Sequence, residues 1–411
     1  MSESIEHTKH TFPARTSLLL IVLAFLAYIS LGLPDAVPGV AWPAVRETYG
    51  LPISYLGQLL IVSMCGYLVA SFASGWLVQR IGLGAVLVSS GTAIVIGMIG
   101  YALSPSWGVM VGMALFAGLG AGSIDAGLNV FAANRFKPRL MVWLHGCWGV
   151  GAVLGPLIMT ASIANHGFGW RGGYGVLAGI IFVISLGFLF TLKQWDDGTS
   201  AKPQAAEQSV KAEFRHLRFA EVMRLPAAWL NALLFFFYTG LEVGVGAWVT
   251  SLLAEARGAN EAQAGTAAAI YWASVTAGRF VIGGVANRVS SDLLLRIATI
   301  AAPVVLLFLW FPKSYGVNIG ALVLLGFMVS PIFPLWTSIT PRRVGADAVT
   351  HAIGLQIAAA CLGMSLIPAG LGILARYAGL EIIPPALVLV AIAVLVLHEW
   401  AIRNERKSTK R

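Results

Sequence analysis

Charge is what this chain has least of. Only 11% of its 411 residues are Asp, Glu, Lys or Arg, against 58% that are hydrophobic, whereas a water-soluble domain carries about 25% charged residues. A surface so short of charge would associate in water but suits a protein whose solvent is lipid, and the mean hydropathy of +0.81 agrees. Cysteine is scarce as well. Cys65, Cys147 and Cys361 lie far apart, each in an apolar run, with neither metal-ligand spacing nor the makings of a disulfide framework. There is no P-loop, no GxSxG and no metal-ligand cluster, so the expectation is a protein that is not an enzyme, needs no cofactor and draws nothing from ATP within this chain. The net charge of +9 could suggest a nucleic-acid partner, but the basic residues gather at the ends of apolar segments, where a bilayer surface explains them.

Long apolar runs are what the chain has instead. A span needs about 20 mostly apolar residues, and twelve segments qualify: 18–42, 54–79, 84–103, 107–133, 141–165, 173–193, 227–254, 263–287, 293–311, 316–340, 349–376 and 382–402. The first apolar run has no small-residue cleavage site and leads into Pro34-Asp35 and Pro38-Gly39, so it reads as a first span and not as a removed signal peptide. One long polar stretch, Gln194 to Pro226, divides the spans six and six. The expected organisation is an N-terminal six-helix bundle over 1–193, a flexible linker over 194–226 with an amphipathic surface helix, and a C-terminal six-helix bundle over 227–411.

Basic residues orient the chain. With the N-terminus inside, 21 of the 27 lysines and arginines fall in cytoplasmic segments, five in outer loops, and Arg279 lies within a span. Both termini are therefore expected in the cytoplasm, in a multi-pass protein of a bacterial inner membrane. The halves also repeat. Gly75-Trp76-Leu77-Val78-Gln79-Arg80 closes span 2, and Gly283-Gly284-Val285-Ala286-Asn287-Arg288 closes span 8. Cys147-Trp148-Gly149 precedes Pro156 in span 5 as Cys361-Leu362-Gly363 precedes Pro368 in span 11. Parallel repeats of this kind put a binding site at the midplane between the halves.

The element closing spans 2 and 8 resembles the loop motif of the major facilitator superfamily: glycine, three residues, aspartate, arginine, then a second glycine. Arg80, Gly82 and Arg288 keep the pattern, while Gln79 and Asn287 stand where the aspartate would be, which weakens the charge latch of the family. The resemblance implies an all-α membrane protein of the major facilitator fold, with twelve transmembrane helices in two pseudo-symmetric six-helix bundles.

Four ionisable groups lie inside spans: Asp35, Asp125, Glu242 and Arg279. Each costs about 2.5–3.5 kcal/mol at a span centre, so they are expected to face an interior cavity or a partner. At 1.5 Å per residue, Glu242 sits roughly 23 Å from the cytoplasmic end of its span, and Asp125 and Arg279 roughly 13 Å. Arg279 could pair with Asp125 across the halves or with a neighbour of its own half. Asn129 follows Asp125 at i+4 on one helix face; His145 and Trp148 share a face of span 5. Tyr271, Trp272 and Gln356 are further internal polar or aromatic groups. This set fits a ligand with hydroxyl edges and an apolar face, although each residue also has a plain packing explanation. Pro34 and Pro38 in span 1, and Pro331 and Pro334 in span 10, remove helix hydrogen bonds and mark where the spans bend. Arg279, Pro38 and Pro334 are accordingly the gating candidates.

Several stretches are similar to the fucose:proton symporter family of sugar permeases: Asp125-Ala126-Gly127-Leu128-Asn129, Leu144-His145, Gly149-Val150-Gly151-Ala152, Tyr238-Thr239-Gly240-Leu241-Glu242, Gly278-Arg279-Phe280 and Pro331-Ile332-Phe333-Pro334. The resemblance implies uptake of a small polar solute, a sugar or sugar derivative, coupled to protons or sodium. Asp125 would couple the ion, His145 and Trp148 would touch the sugar, and Glu242 would hold the polar position of span 7. Departures exist: Asp125 replaces a usual glutamate, the span-1 acid of the family aligns with Gly39, and Trp148 replaces a polar residue. A drug or metabolite efflux antiporter is the alternative, and a non-transporting membrane sensor a third reading. The expected partners are a small-molecule substrate, the coupling ion and the bilayer, with the chain a monomer.

Overall fold

The computed structural model describes residues 17–136, 138–164, 168–196, 218–285, 288–311, 314–345 and 347–409. The basic linker positions Lys202, Lys211 and Arg215, the Asn287 position of the loop motif, and Lys9 and Arg15 lie outside them. Among the described residues the regular structure is helical, without strands. Span 1 is two helices, α1 (Leu18–Asp35) and α2 (Val37–Tyr49). Spans 2 to 6 are α3 (Leu56–Ile81), α4 (Leu83–Leu103), α5 (Trp107–Arg135), α6 (Pro138–Ala164) and α7 (Gly169–Phe190). Two short helices follow, α8 (Leu192–Asp196) and α9 (Phe219–Val222). The second half comprises α10 (Pro226–Ser251), α11 (Glu261–Val285), α12 (Ser291–Trp310), α13 (Tyr315–Val329), α14 (Ile332–Val344), α15 (Val349–Ala378) and α16 (Ile383–Thr409). A π-helical turn, Leu252–Ala256, extends α10.

Both halves pack by one scheme. In the first, α3 lies against α5, α1 against α6, and α4 against α5 and α7. In the second, the equivalent spans repeat this, with α11 against α13, α10 against α15, and α12 against α13 and α16. The result is two pseudo-symmetric six-helix bundles. They meet where α6 packs on α11 and α3 on α15, again equivalent pairs, and where α2 crosses α10.

Among the described residues, eleven spans are long and apolar enough to cross a membrane by composition. The twelfth, α11, is 25 residues long and carries Gln263, Thr266, Ser274, Thr276 and Arg279 among its apolar residues. Its place between the bundles explains this, since a helix packed against α6 and α13 does not need a lipid-soluble surface.

Polar contacts assign the helix ends to two faces. On one, Tyr49 donates to the Ser104 carbonyl, Trp107 to Gln58, Arg257 to Glu381 and Asn318, and Tyr315 to the Gln263 carbonyl. On the other, which holds Leu18 and the end of α16, Arg342 pairs with Asp292 at 2.6 Å and also with Glu405, and Arg296 pairs with Glu399. We call the latter the terminal face. There Gly82, at φ +83°, lets the chain turn from α3 into α4. The Asp196 carboxylate of α8 lies over this turn and accepts from the Gly84 N–H at 3.2 Å. A carboxylate at the N-terminus of α4 is favoured by the helix dipole. Asp196, read from sequence as linker, thus brings an acid to the loop whose own acid position is Gln79.

The bends fall beside the expected prolines. Span 1 breaks at Ala36, and span 10 at Ser330-Pro331. Pro38 and Pro334 sit in the first turns of α2 and α14, where a helix has no use for their missing N–H. Each also removes the helix hydrogen bond to the residue four before it, Pro34 and Ser330, and so takes part in the bend. They start the helices that follow them.

Candidate functional site

The sites of interest gather where α1, α3, α5 and α6 of one bundle face α10, α11 and α15 of the other. Small residues let the backbones approach this closely. A Cβ on Gly32 would strike the Trp148 carbonyl, one on Gly151 the Ile29 carbonyl, and one on Gly149 the Thr276 side chain. The α1–α6 seam therefore sets where Asp35 and Trp148 stand relative to each other.

Two acids belong to the first bundle. Asp125, half-buried on α5, accepts from the Tyr67 hydroxyl of α3 at 2.5 Å and from Asn129 Nδ2, one turn along, at 3.0 Å. The buried Tyr28 hydroxyl stands beside it, within reach of its carboxylate. Asp35 is the last residue of α1, at the break of span 1, and is exposed although it lies midway along the span. Its Oδ2 accepts from Trp148 Nε1 at 2.8 Å. Asp35 and Asp125 are near enough to interact electrostatically, and among the described residues no basic side chain pairs with either. Such carboxylates can exchange a proton without first breaking an ion pair.

Glu242 differs. It is 6% exposed, and its carboxylate accepts from Arg279 Nη2 at 2.9 Å within the second bundle. Arg279 does not pair with Asp125. The two share a depth but not a direction, and the neighbour on α10 captures the guanidinium. Arg279 nonetheless reaches across, its Cζ lying 5.4 Å from the Trp148 ring centroid, within the range of a cation–π contact. Trp272 meets Trp148 edge to face at 5.7 Å. One indole thus connects the acid at the span 1 break to the ion pair of the opposite bundle.

His145 is exposed, its ring 5.3 Å from that of Tyr28, and its Nδ1 lies 2.9 Å from the Met141 carbonyl. A carbonyl only accepts, so Nδ1 carries a proton and Nε2 is the free position. Tyr271 and Gln356, both expected at the site, are engaged in packing. The buried Tyr271 hydroxyl donates to the Glu242 carbonyl at 3.0 Å. Gln356 is 1% exposed and exchanges hydrogen bonds with Thr340 at 2.9 and 3.1 Å inside the second bundle. It has no face toward the space between bundles.

Sequence reasoning missed Tyr28 and Tyr67. The available signal was the Tyr67–Ser71 pair at i, i+4, a polar stripe on one face of an otherwise apolar span. It also missed the contact that joins the bundles on the face away from the termini. There Arg46 of α2 pairs with Glu255 of the π-helical turn at 2.9 Å, and Gly39 lies against Gly246 and Ala247. The close contacts of Gly57 with Ala369 and of Gly265 with Thr160 belong to the same end of the molecule.

The chain matches the family described as Major Facilitator Superfamily across residues 20–407. It is 24% identical over 419 residues to Bypass of stop codon protein 6 of Saccharomyces cerevisiae, covering 93% of this chain and 82% of that protein. It is 25% identical over 399 residues to Sodium-dependent glucose transporter 1 of Homo sapiens, covering 87% and 74%. A crystal structure of a bacterial homologue of the human lysosomal transporter Spinster aligns over 94% of this chain and 96% of that one, with a TM-score of 0.74 at 13% identity. At that identity the likeness speaks for the fold.

Proposed function

The chain belongs to the major facilitator superfamily and is a multi-pass membrane transporter, and on that premise we propose that it moves a sugar or sugar derivative, by alternating access, in step with protons. The observation that carries this reading is Asp125. It is a membrane-embedded carboxylate between the bundles, held by Tyr67 and Asn129 and free of any basic partner among the described residues. A proton arriving there neutralises a charge whose exposure to the membrane interior is costly, and this favours the bundles closing around a loaded site. Trp148, Trp272 and Tyr28 offer aromatic faces, and Asp35, Asn129 and His145 offer polar edges, the combination a ring with hydroxyls calls for.

Direction and placement follow the same argument. Arg46–Glu255, Gly39–Gly246 and Gly57–Ala369 join the bundles at the end opposite the termini, and Gly149–Thr276 and Gly146–Phe280 continue the contact along α6 and α11; the ion pair at the far end supports a site that opens toward the terminal face. The lysine and arginine bias supports a cytoplasmic terminal face in a bacterial inner membrane. Glu242, locked to Arg279, contributes structure, and the coupling falls to Asp125. The chain works as a monomer, its partners being the solute, the coupling ion and lipid, and the two bundles are the units 1–193 and 227–411 that rock about the site.

The test is counterflow of radiolabelled hexoses and hexose derivatives into proteoliposomes, with sodium and proton gradients imposed separately. Exchange of at least one hexose, with accumulation under a proton gradient, is expected. No exchange of any of them, with export of hydrophobic drugs by cells overexpressing the chain, would replace this reading with efflux.

A further inference from the structure

The break in span 1 is held from both sides by one circuit of contacts. On its first side, Asp35 ends α1 and accepts from Trp148 Nε1 at 2.8 Å. Trp148 meets Trp272 at 5.7 Å and faces Arg279 at 5.4 Å. Trp272 lies against Gly246 of α10, so closely that a Cβ there would overlap the indole. Gly246 and Ala247 in turn receive Gly39 of α2, where a Cβ would meet the Ala247 Cα and the Gly246 carbonyl. That returns the circuit to the helix beginning two residues after Asp35. Further along, α2 carries Arg46, whose partner Glu255 belongs to the second bundle.

We propose that Trp148 is a positioning residue that makes the closure of the face opposite the termini depend on the charge of Asp35. While Asp35 is ionised, its bond from the indole N–H is charge-assisted, roughly twice as strong as a neutral one. The bond fixes the ring so that one part meets Arg279 and another Trp272. Protonation of Asp35, or a hydroxyl that displaces the Trp148 N–H from its carboxylate, slackens that hold. Trp272 loses its backing, α10 is no longer pressed on α2 at Gly39, and α2 is free to swing about Ala36, carrying Arg46 away from Glu255. The other titratable or charged groups in range of Asp35 are Asp125 of α5 and Tyr67 of α3, with Arg279 and Glu242 beyond the Trp148 ring.

The inference rests on the carrier reading, since only a protein of alternating access needs a face that opens on loading. Its test needs no substrate. Val45 of α2 is 2% exposed on the closed face. A Val45→Cys chain, with the three native cysteines replaced by alanine, is reacted with a maleimide in detergent micelles at neutral and acidic pH. Each rate is divided by that of the same thiol in the unfolded chain at the same pH, because acid lowers the reactive thiolate fraction everywhere; on that relative scale acid should speed labelling. Asp35→Asn should raise the rate at neutral pH at least about fivefold, the scale of a modest coupling between two sites. Trp148→Phe, which keeps the ring but not the N–H, should match it and remove the acid response. The double variant should label no faster than either single variant.

Labelling of Trp148→Phe at the parent rate, multiplying effects, or a parent that ignores acid would each overturn the proposal. Should Trp148→Phe fail to fold, the nearly isosteric Asp35→Asn decides alone, and an unchanged rate there is fatal. Transport is read separately. Hexose accumulation with unresponsive labelling removes the clamp and leaves the carrier, whereas responsive labelling without hexose transport removes the sugar reading and leaves the clamp.

Discussion

Arg279 and Glu242 close an ion pair at 2.9 Å between α11 and α10, inside one bundle, and this leaves Asp125 and Asp35 as the acids deep within the spans that no arginine pairs among the described residues. Removing one member of a largely buried pair strands the other, at a cost of about 3–5 kcal/mol, while removing both costs far less. Glu242→Gln and Arg279→Gln should each lower the apparent Tm in detergent by several degrees, and the double variant should recover most of the loss. Equal losses in all three would mean that the pair contributes nothing beyond its separate side chains.

The contact between Arg46 and Glu255 is a different kind of ion pair. Its side chains keep 29% and 28% of their exposure, so it adds only about 0–1 kcal/mol to stability. Arg46→Glu should leave the Tm nearly unchanged yet expose the closed face, read as faster labelling of Val45→Cys. The exchanged pair, Arg46→Glu with Glu255→Arg, should restore slow labelling. If the exchange fails to restore it, the attraction between bundles does not lie in this pair.

Gln356 gives a prediction of opposite sense. Because it is bonded to Thr340 within one bundle, Gln356→Ala removes that bonding, while the Thr340 hydroxyl keeps the Trp336 carbonyl, a loss of about 0.5–1.5 kcal/mol. Thermal unfolding should register that loss, while KM for the transported solute stays at the parent value. A raised KM with unchanged Tm would return Gln356 to the binding site.

Gly151 tests the seam. Its missing Cβ is what allows α6 to touch the Ile29 carbonyl of α1, so Gly151→Val should push the helices apart and separate Trp148 from Asp35. The expected outcome is a fall in the yield of folded protein by size-exclusion chromatography, larger than that for Gly175→Val, where open space meets the new side chain.

What could be read in the sequence follows from which forces act along the chain axis. Apolar length, basic loops and the cost of a buried charge are all functions of axial position, so the spans, their division into halves and the intramembrane acids were legible. Azimuth was not. The polar residues of α11 are spread around the helix, so no stripe says which way Arg279 points, and its depth matched Asp125 rather than Glu242. Gln356 resembled a site residue because its partner, Thr340, lies on the preceding span and is as inconspicuous as it is. Tyr28 and Tyr67 were hidden by type, since tyrosine in a membrane span is ordinarily an interfacial anchor. Pro38 and Pro334 signalled the bends because a proline disrupts the turn before it, a relation local in sequence, and then begins the next helix. Asp196 shows the converse: an acid missing from a motif was supplied from another helix, a relation no local pattern contains.

The measurement closest to the centre of this account compares two fluxes in Asp125→Asn proteoliposomes, counterflow of a transported hexose and its accumulation under an inward proton gradient. The amide of that variant can still meet Tyr67 and Asn129 but cannot take up a proton, so counterflow should persist while accumulation falls to the level of empty vesicles. Accumulation at the parent rate would contradict the assignment of proton coupling to Asp125.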